Sequence, residues 1–247
     1  MKKKFEGKRV LVTGSAKRMG KAIALFLAEN GANVAINYLT SEKEAEQTAK
    51  QCRAFGVKSF AVQADVTDHV QAKELVQRVV REFGGIDFLI CNVGSFTNKN
   101  IRQLTPQDWL VDISTNLNHT FFCCKAALPF MEKQDFGRIV NMGYTGADRI
   151  HAKTRPTAYQ VAKNGVITLT KSFALEYAKS GVTVNCVSPG IMFNSETRKS
   201  KKSLEKLVPM KRLATFKDVL RAFDFFLSDE ADYITGQNIE VAGGYQL

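Results

Sequence analysis

Tyr159 and Lys163 are the residues whose types and spacing point most directly to chemistry. They stand four apart in TAYQVAKNGVITLTKSFALEYA, a stretch with apolar residues at helical spacing. On a helix that spacing puts both side chains on one face. An ammonium near a phenol stabilises the phenolate and lowers a pKa that is ordinarily about 10. Tyr159 is then a candidate proton donor and acceptor near neutral pH. By itself such a pair is common on helices, so its meaning depends on what else the chain places nearby.

The second chemical signal is the stretch RVLVTGSAKRMG, residues 9–20. Val10, Leu11 and Val12 read as a buried parallel strand, which Thr13-Gly14 breaks. Gly20 opens a helical segment. Free N–H groups and the positive end of the helix dipole then face whatever lies over the turn, which is a phosphate cradle. Gly14, Ser15, Lys17, Arg18, Met19 and Gly20 are its candidate contacts.

Elements that could position these groups alternate along the whole chain. Strands read at about 8–13, 33–38, 58–64, 86–91, 137–142, 182–187 and 237–241, and helices at about 19–30, 41–55, 68–83, 106–133, 157–180 and 217–228. The alternation predicts an α/β protein, a Rossmann-type doubly wound seven-stranded parallel sheet with helices on both faces. With no linker or low-complexity tract, residues 1–247 read as a single domain.

Ligands of such sheets sit at the carboxyl ends of the strands. NAD-preferring sites usually carry an acid after the second strand, to bind the ribose 2′-hydroxyl. Here Asn37, Tyr38 and Leu39 precede Thr40 and Ser41, and Lys17 and Arg18 lie close by in the first turn. A missing acid and added cations favour NADP(H), with Tyr38, Thr40 and Ser41 as contacts. Asp65 and Val66 after the third strand would flank adenine and ribose, as would Asn92, Val93 and Gly94 after the fourth. Asn116 interrupts the helical segment 106–133; asparagine is a poor mid-helix residue and signals a polar contact or a distortion.

Segment 193–217, FNSETRKSKKSLEKLVPMKRLATFK, is polar and carries Arg198, Lys199, Lys201, Lys202, Lys206, Lys211 and Arg212. It reads as a lid over substrate, with Phe193 at its start. The net charge of +11 favours anionic partners. The basic residues are dispersed without a recognition motif, which argues against nucleic acid. No apolar run is long enough for a membrane, and MKKKFEGKRV lacks the apolar region of a signal peptide, so a cytoplasmic protein is expected. The five cysteines have no metal-type spacing and read as buried free thiols. The histidines, His69, His119 and His151, are scattered, and no metal site is expected.

Together Thr13-Gly14 with Gly20, Asp65, Asn92 with Gly94, Asn116, Tyr159 with Lys163, Pro189-Gly190 and the stretch ITGQNIEVAGGYQL resemble the short-chain dehydrogenase/reductase family over essentially the whole chain. The resemblance implies hydride transfer between a nicotinamide and a carbonyl or similar group, in a homotetramer or homodimer. It implies Tyr159 as acid/base, Lys163 on the nicotinamide ribose, and Asn116 holding a water in a proton relay. Asn92, Gly94, Pro189, Gly190 and Ile191 would line the cofactor.

Three positions depart from the family pattern. Arg18 replaces the middle glycine of the first turn. The catalytic serine is missing: alignment on GRIVNMGYTG puts Tyr144 there, while counting back from Tyr159 gives Gly146, so Tyr144 and Thr145 are both candidates for the hydroxyl. Ala242 replaces an acid and reads as structural. The Lys-Arg turn, the absent serine and Ser95-Phe96 are similar to the pteridine reductases of the family, where the aromatic stacks on the pterin. Overall similarity and the basic lid resemble the 3-oxoacyl-carrier-protein reductases, although Asp135 and Ser180 stand where those present arginines. Phe96, Tyr144 and Phe193 are the expected substrate contacts. Two enzymatic readings, a 3-oxoacyl thioester and a pterin, stand beside a third, an NADP-binding regulatory protein of weak activity.

Overall fold

The computed structural model describes residues 3–150, 152, 154–195 and 200–247. The strands are β1 (Arg9–Val12), β2 (Asn33–Tyr38), β3 (Ser59–Gln63), β4 (Phe88–Cys91), β5 (Gly137–Met142), β6 (Val182–Pro189) and β7 (Asn238–Val241). The helices are α1 (Arg18–Glu29), α2 (Glu42–Arg53), α3 (His69–Phe83), α4 (Pro106–Ile113), α5 (His119–Lys133), α6 (Thr157–Tyr177), α7 (Lys201–Glu205) and α8 (Phe216–Phe226). One parallel sheet runs in the order β3-β2-β1-β4-β5-β6-β7. The strand order reverses between β1 and β4, the point at which sheets of this kind form a ligand crevice.

Alternation along the strands divides the core. Val10, Val12, Val34 and Ile36 face α1, α2 and α8, where Ile23, Leu27, Phe223 and Phe226 are buried. Leu11, Ala35 and Leu89 point the other way, against α3, α5 and α6. Two fully apolar layers on a sheet only one strand thick require parallel strands covered on both sides.

Local chemistry sets the helix ends. Asp68 caps α3 by accepting from the N–H groups of Val70 and Gln71, and Gly84 ends it in the left-handed region. Thr105 with Asp108 and Thr215 with Asp218 form capping boxes at α4 and α8. Two boundaries differ from the sequence reading. The helix expected over 106–133 breaks at a π-helical turn, Ser114–Asn118, which contains Asn116. The segment read as a polar lid contains the short helix α7 and a small apolar cluster of Leu204, Val208 and Leu213. Arg198, Lys199 and His151 lie outside the described residues.

Candidate active site

The first turn is built by hydrogen bonds from neighbouring strands. Gly14 N–H donates to Asn37 Oδ1 (3.0 Å), and Ser15 N–H donates to the Asn37 carbonyl (2.9 Å). Asn92 Nδ2 donates to the carbonyls of Thr13 and Gly14 (3.0 and 3.1 Å). Asn37 and Asn92 therefore brace the turn; their amides are turned into it rather than toward the crevice. A Cβ on Gly20 would stand 2.7 Å from Asn92 Nδ2 and 2.8 Å from Ser15 Cα, so only glycine fits beneath the cradle. Arg18 has φ 54°, the left-handed conformation that the family's glycine adopts without strain. The replacement keeps the backbone path and projects a cation, since Arg18 is exposed. Lys17 is also exposed, and its Nζ pairs with Glu44 Oε1 of α2 at 2.7 Å. That pairing was not legible in the sequence. Met19 packs partly into the core.

Beyond the cradle, Tyr38 packs partly on the α1 side of the core, whereas Leu39 and Thr40 are exposed and Ser41 is half-buried before α2. The Asp65 carboxylate accepts from Thr67 N–H and Oγ1 (2.9 and 2.7 Å), which shapes the turn into α3, and Val66 is buried beside it.

After β4 the chain passes Val93, packed on the α3 side of the core, to Gly94. A Cβ on Gly94 would lie 2.5 Å from Asn116 Oδ1 and 3.7 Å from Lys163 Nζ, so the bare backbone lets both groups converge. The π-helical turn is what brings Asn116 there. Its Nδ2 donates to the carbonyls of Asp112 (2.9 Å) and Ser95 (3.0 Å), which anchors the loop to the helix. Asn116 Oδ1 is buried and has no hydrogen-bond partner among the described residues. Asp112, fully buried, accepts from Ser95 Oγ (2.6 Å), Thr97 Oγ1 (3.1 Å) and Thr97 N–H (3.3 Å). Between these anchors stands Phe96.

Phe96, Tyr159 and Tyr144 form a continuous aromatic group. Phe96 meets Tyr159 edge-on at 5.0 Å between centroids, and Tyr144 meets Tyr159 at 5.4 Å. Thr145 is fully buried, with its hydroxyl 3.4 Å from the Ser188 carbonyl. Of the two candidates for the serine's place, Tyr144 is the one that reaches Tyr159. Its hydroxyl accepts from Gln246 Nε2 at 3.1 Å.

Lys163 is nearly buried; its Nζ donates to the Met142 carbonyl (2.7 Å) and lies 5.6 Å from the centroid of the Tyr159 ring. Burial lowers its pKa from the usual value to about 8. The same burial pushes the Tyr159 phenol above its usual range, and Tyr144 and Asp112 add to the rise. This reverses the sequence expectation of a depressed phenol. The ammonium lies over the ring and is engaged by Met142, while desolvation opposes the phenolate. His119, at the start of α5, is held neutral at about 3 by burial and by the charge of Lys163.

At the end of β6, Gly190 N–H donates to the Val241 carbonyl (3.0 Å), and a Cβ on Gly190 would stand 2.8 Å from Ala242 Cα. Ala242 is thus packing against the Pro189-Gly190 turn. Ile191 joins the apolar cluster of the following segment. Phe193 is 40% exposed and meets Phe216 edge-on at 5.1 Å, so its ring is seated on α8 rather than on the aromatic group. Among the described residues no cluster of histidine, cysteine or acidic side chains could hold a metal, and no helix is long and apolar enough to cross a membrane. All five cysteines are free and buried, Cys52 included.

Comparisons with known proteins bear on the family and the fold. The family model described as enoyl-(acyl carrier protein) reductase matches residues 14–246. The chain belongs to the short-chain dehydrogenase/reductase family. It is 39% identical over 244 residues to the 3-oxoacyl-[acyl-carrier-protein] reductase FabG of Staphylococcus epidermidis, covering 97% of this chain and 99% of that one. It is 36% identical to FabG of Haemophilus influenzae, covering 98% and 100%. The (2S)-[(R)-hydroxy(phenyl)methyl]succinyl-CoA dehydrogenase subunit BbsD of Thauera aromatica is 34% identical, with 98% of each chain covered. Among solved structures, one described as a gluconate dehydrogenase from Agrobacterium tumefaciens superposes with a TM-score of 0.90 at 31% identity, covering 98% of this chain and 96% of that one. As a short-chain dehydrogenase/reductase the chain is an oxidoreductase, and the family uses nicotinamide cofactors.

The residues present fit such a cofactor: the cradle has no room for a Cβ at Gly20, and Lys17 and Arg18 are exposed at its rim. Two site residues were missed in the sequence. Asp112 carried a signal, an acid within the apolar run WLVDI four residues before Asn116. Gln246 carried none.

Proposed function

We propose that this chain is an NADPH-dependent reductase of C=O or C=N groups. The observation that supports it best is the convergence of Tyr159, Lys163 and Asn116 beside the crevice between β1 and β4. Arg18, Met19 and Gly20 would hold the pyrophosphate side of NADPH over the Gly14-Ser15 turn, whose own N–H groups are taken by Asn37 and whose Ser15 is fully buried; Lys17 and Arg18 would hold the 2′-phosphate, and Tyr38, Thr40 and Ser41 the rim. Asp65, Val66, Val93, Gly94, Pro189, Gly190 and Ile191 would line the rest. The bound cofactor supplies the hydride.

The protein's part is proton delivery and orientation. A phenol kept protonated by burial is the form that a reductase needs, because Tyr159 must give its proton to the heteroatom as hydride arrives. Lys163 holds the nicotinamide ribose. Asn116 Oδ1, unpaired and close to Lys163, is placed to hold a water through which the proton on Tyr159 is replaced. Tyr144 polarises the substrate oxygen in place of the family's serine.

A 3-oxoacyl thioester is the leading substrate. FabG relatives at 39% identity over nearly the full chain support it, and the basic segment 193–217, read as a lid, suits an acidic carrier. The second reading is a pterin, favoured by Phe96, 56% exposed and edge-on to Tyr159. The deciding experiment offers a short 3-oxoacyl thioester and a dihydropterin side by side with NADPH. Thioester turnover is expected. Pterin turnover alone would shift the assignment to the ring substrate. Tight NADPH binding with neither turned over would support a regulatory protein.

The assembly we propose is a homotetramer or homodimer, since α4, α5 and α6 leave Leu110, Phe121, Val161 and Leu175 exposed. Light scattering at a monomer mass would contradict it. Five buried free thiols fit a reducing cytoplasm.

A further inference from the structure

His119 opens α5, three residues after Asn116, and is fully buried. Neither of its ring nitrogens has a hydrogen-bond partner among the described residues, and the same holds for Asn116 Oδ1. Such atoms are uncommon in folded proteins, because each gives up its hydration without replacement. Here two side chains carry three of them. A spacing of three across the end of the π-helical turn puts those side chains on one face.

Lys163 belongs to the same group. A Cβ on Gly94 would lie 2.5 Å from Asn116 Oδ1 and 3.7 Å from Lys163 Nζ, so both flank one bare stretch of backbone. One N–H of the ammonium is spent on the Met142 carbonyl (2.7 Å), and others remain. The charge of Lys163 reaches His119 and, with burial, keeps the ring neutral. A neutral imidazole has one N–H and one unprotonated nitrogen. The backbone of Thr115, one turn earlier, attracts the N–H without a bond of full geometry. The other nitrogen is then an acceptor. An ammonium donor, an amide oxygen and an imidazole nitrogen suit a buried water, which needs about two to four polar partners.

We propose that His119 is a positioning residue: its unprotonated nitrogen holds, together with Asn116 Oδ1, the buried water through which Tyr159 regains its proton after each reduction. This rests on the proton-relay reading of Asn116 given above and adds a residue to it. The water accepts from Lys163 Nζ and donates one hydrogen to the amide oxygen and the other to the ring. Once Tyr159 has given its proton to the substrate it is a phenolate. The Lys163 ammonium passes a proton toward it and is refilled from the water, which is refilled from solvent. His119 is neutral before and after, so the net change is one proton taken from solvent.

The test compares His119→Phe with His119→Gln, using NADPH and a short 3-oxoacyl thioester. Phenylalanine keeps a ring without an acceptor, whereas the glutamine amide supplies one. Without the water, the first reduction uses the proton already on Tyr159, and later ones wait for its return. His119→Phe should therefore oxidise a single NADPH per active site in a burst, then settle to a steady rate about tenfold below the parent, the size of one lost hydrogen bond. The solvent isotope effect on that steady rate should rise. His119→Gln should show no burst and stay within about threefold of the parent. The same behaviour in both variants, or an unchanged steady rate in His119→Phe, would overturn the role of His119. A crystal structure of the unaltered protein gives a second readout that does not depend on either variant folding. It should show a water touching both Asn116 Oδ1 and a His119 nitrogen; a ring packed only against carbon, with no water at either group, would overturn the proposal. An unaltered protein that turns over no carbonyl substrate would instead overturn the reductase reading.

Discussion

Ser95 Oγ lies 2.6 Å from the carboxylate of Asp112, and the same carboxylate receives Thr97. Phe96, between them, is thereby fixed against Tyr159. Asp112 is buried, Ser95 and Thr97 are half-buried, and among the described residues no cation pairs with the carboxylate, so the clamp's strength comes from the hydroxyl and amide donors that it satisfies. Asp112→Ala leaves those donors unpaired and should destabilise the protein by about 3 kcal/mol. Ser95→Ala removes one contact and should cost about 1 kcal/mol. Urea unfolding measures both. In Ser95→Ala, KM for the carbonyl substrate should rise while NADPH affinity is kept, if Phe96 contacts substrate as proposed. Equal stability of Asp112→Ala and the parent would show that the loop holds itself.

Lys163 sets the pH range. Its burial brings the ammonium down to about 8, so the charged form is lost as pH rises through that value. The Tyr159 phenol, raised by burial, stays protonated over the same interval. For carbonyl reduction, kcat/KM, which reports the free enzyme, should therefore fall on the alkaline side with a midpoint near 8. Lys163→Arg replaces the ammonium with a guanidinium that does not titrate there. That variant should be slower and flat through the same pH range; an unchanged alkaline limb would assign the titration elsewhere.

Much of this architecture was legible because it is written in local patterns. β-branched runs marked the strands, and residues 14 to 20 showed the cradle through its glycines. Asn116 announced a distortion because asparagine disfavours helix interiors, and a π-helical turn is found there. What escaped depends on groups distant in sequence. Lys17 meets Glu44 only once β2 has returned the chain beside the first turn. Gln246 meets Tyr144 only after β7 is laid beside β6. The direction of the Tyr159 shift escaped as well, since desolvation belongs to the packed protein and not to a pair four apart on a helix.

On the proposed reading, preference for NADPH turns on that Lys17–Glu44 pair. Both side chains are about half exposed, at 51% and 45%, so the ammonium can exchange one anion for another. Lys17→Ala should weaken NADPH by roughly tenfold, the size of one hydrogen bond to a charged group, and barely affect NADH. Glu44→Gln, which releases Lys17, should tighten NADPH. Fluorescence titration of both cofactors gives the answer. Parallel losses for the two would remove Lys17 from the 2′-phosphate.

The central claim is that Tyr159 supplies the proton and has no large part in holding the cofactor. The direct measurement is Tyr159→Phe, assayed by loss of nicotinamide absorbance with a short 3-oxoacyl thioester, alongside its NADPH dissociation constant. Removal of a general acid should lower kcat by about a thousandfold, with NADPH affinity close to that of the parent. Full turnover by Tyr159→Phe would contradict the account.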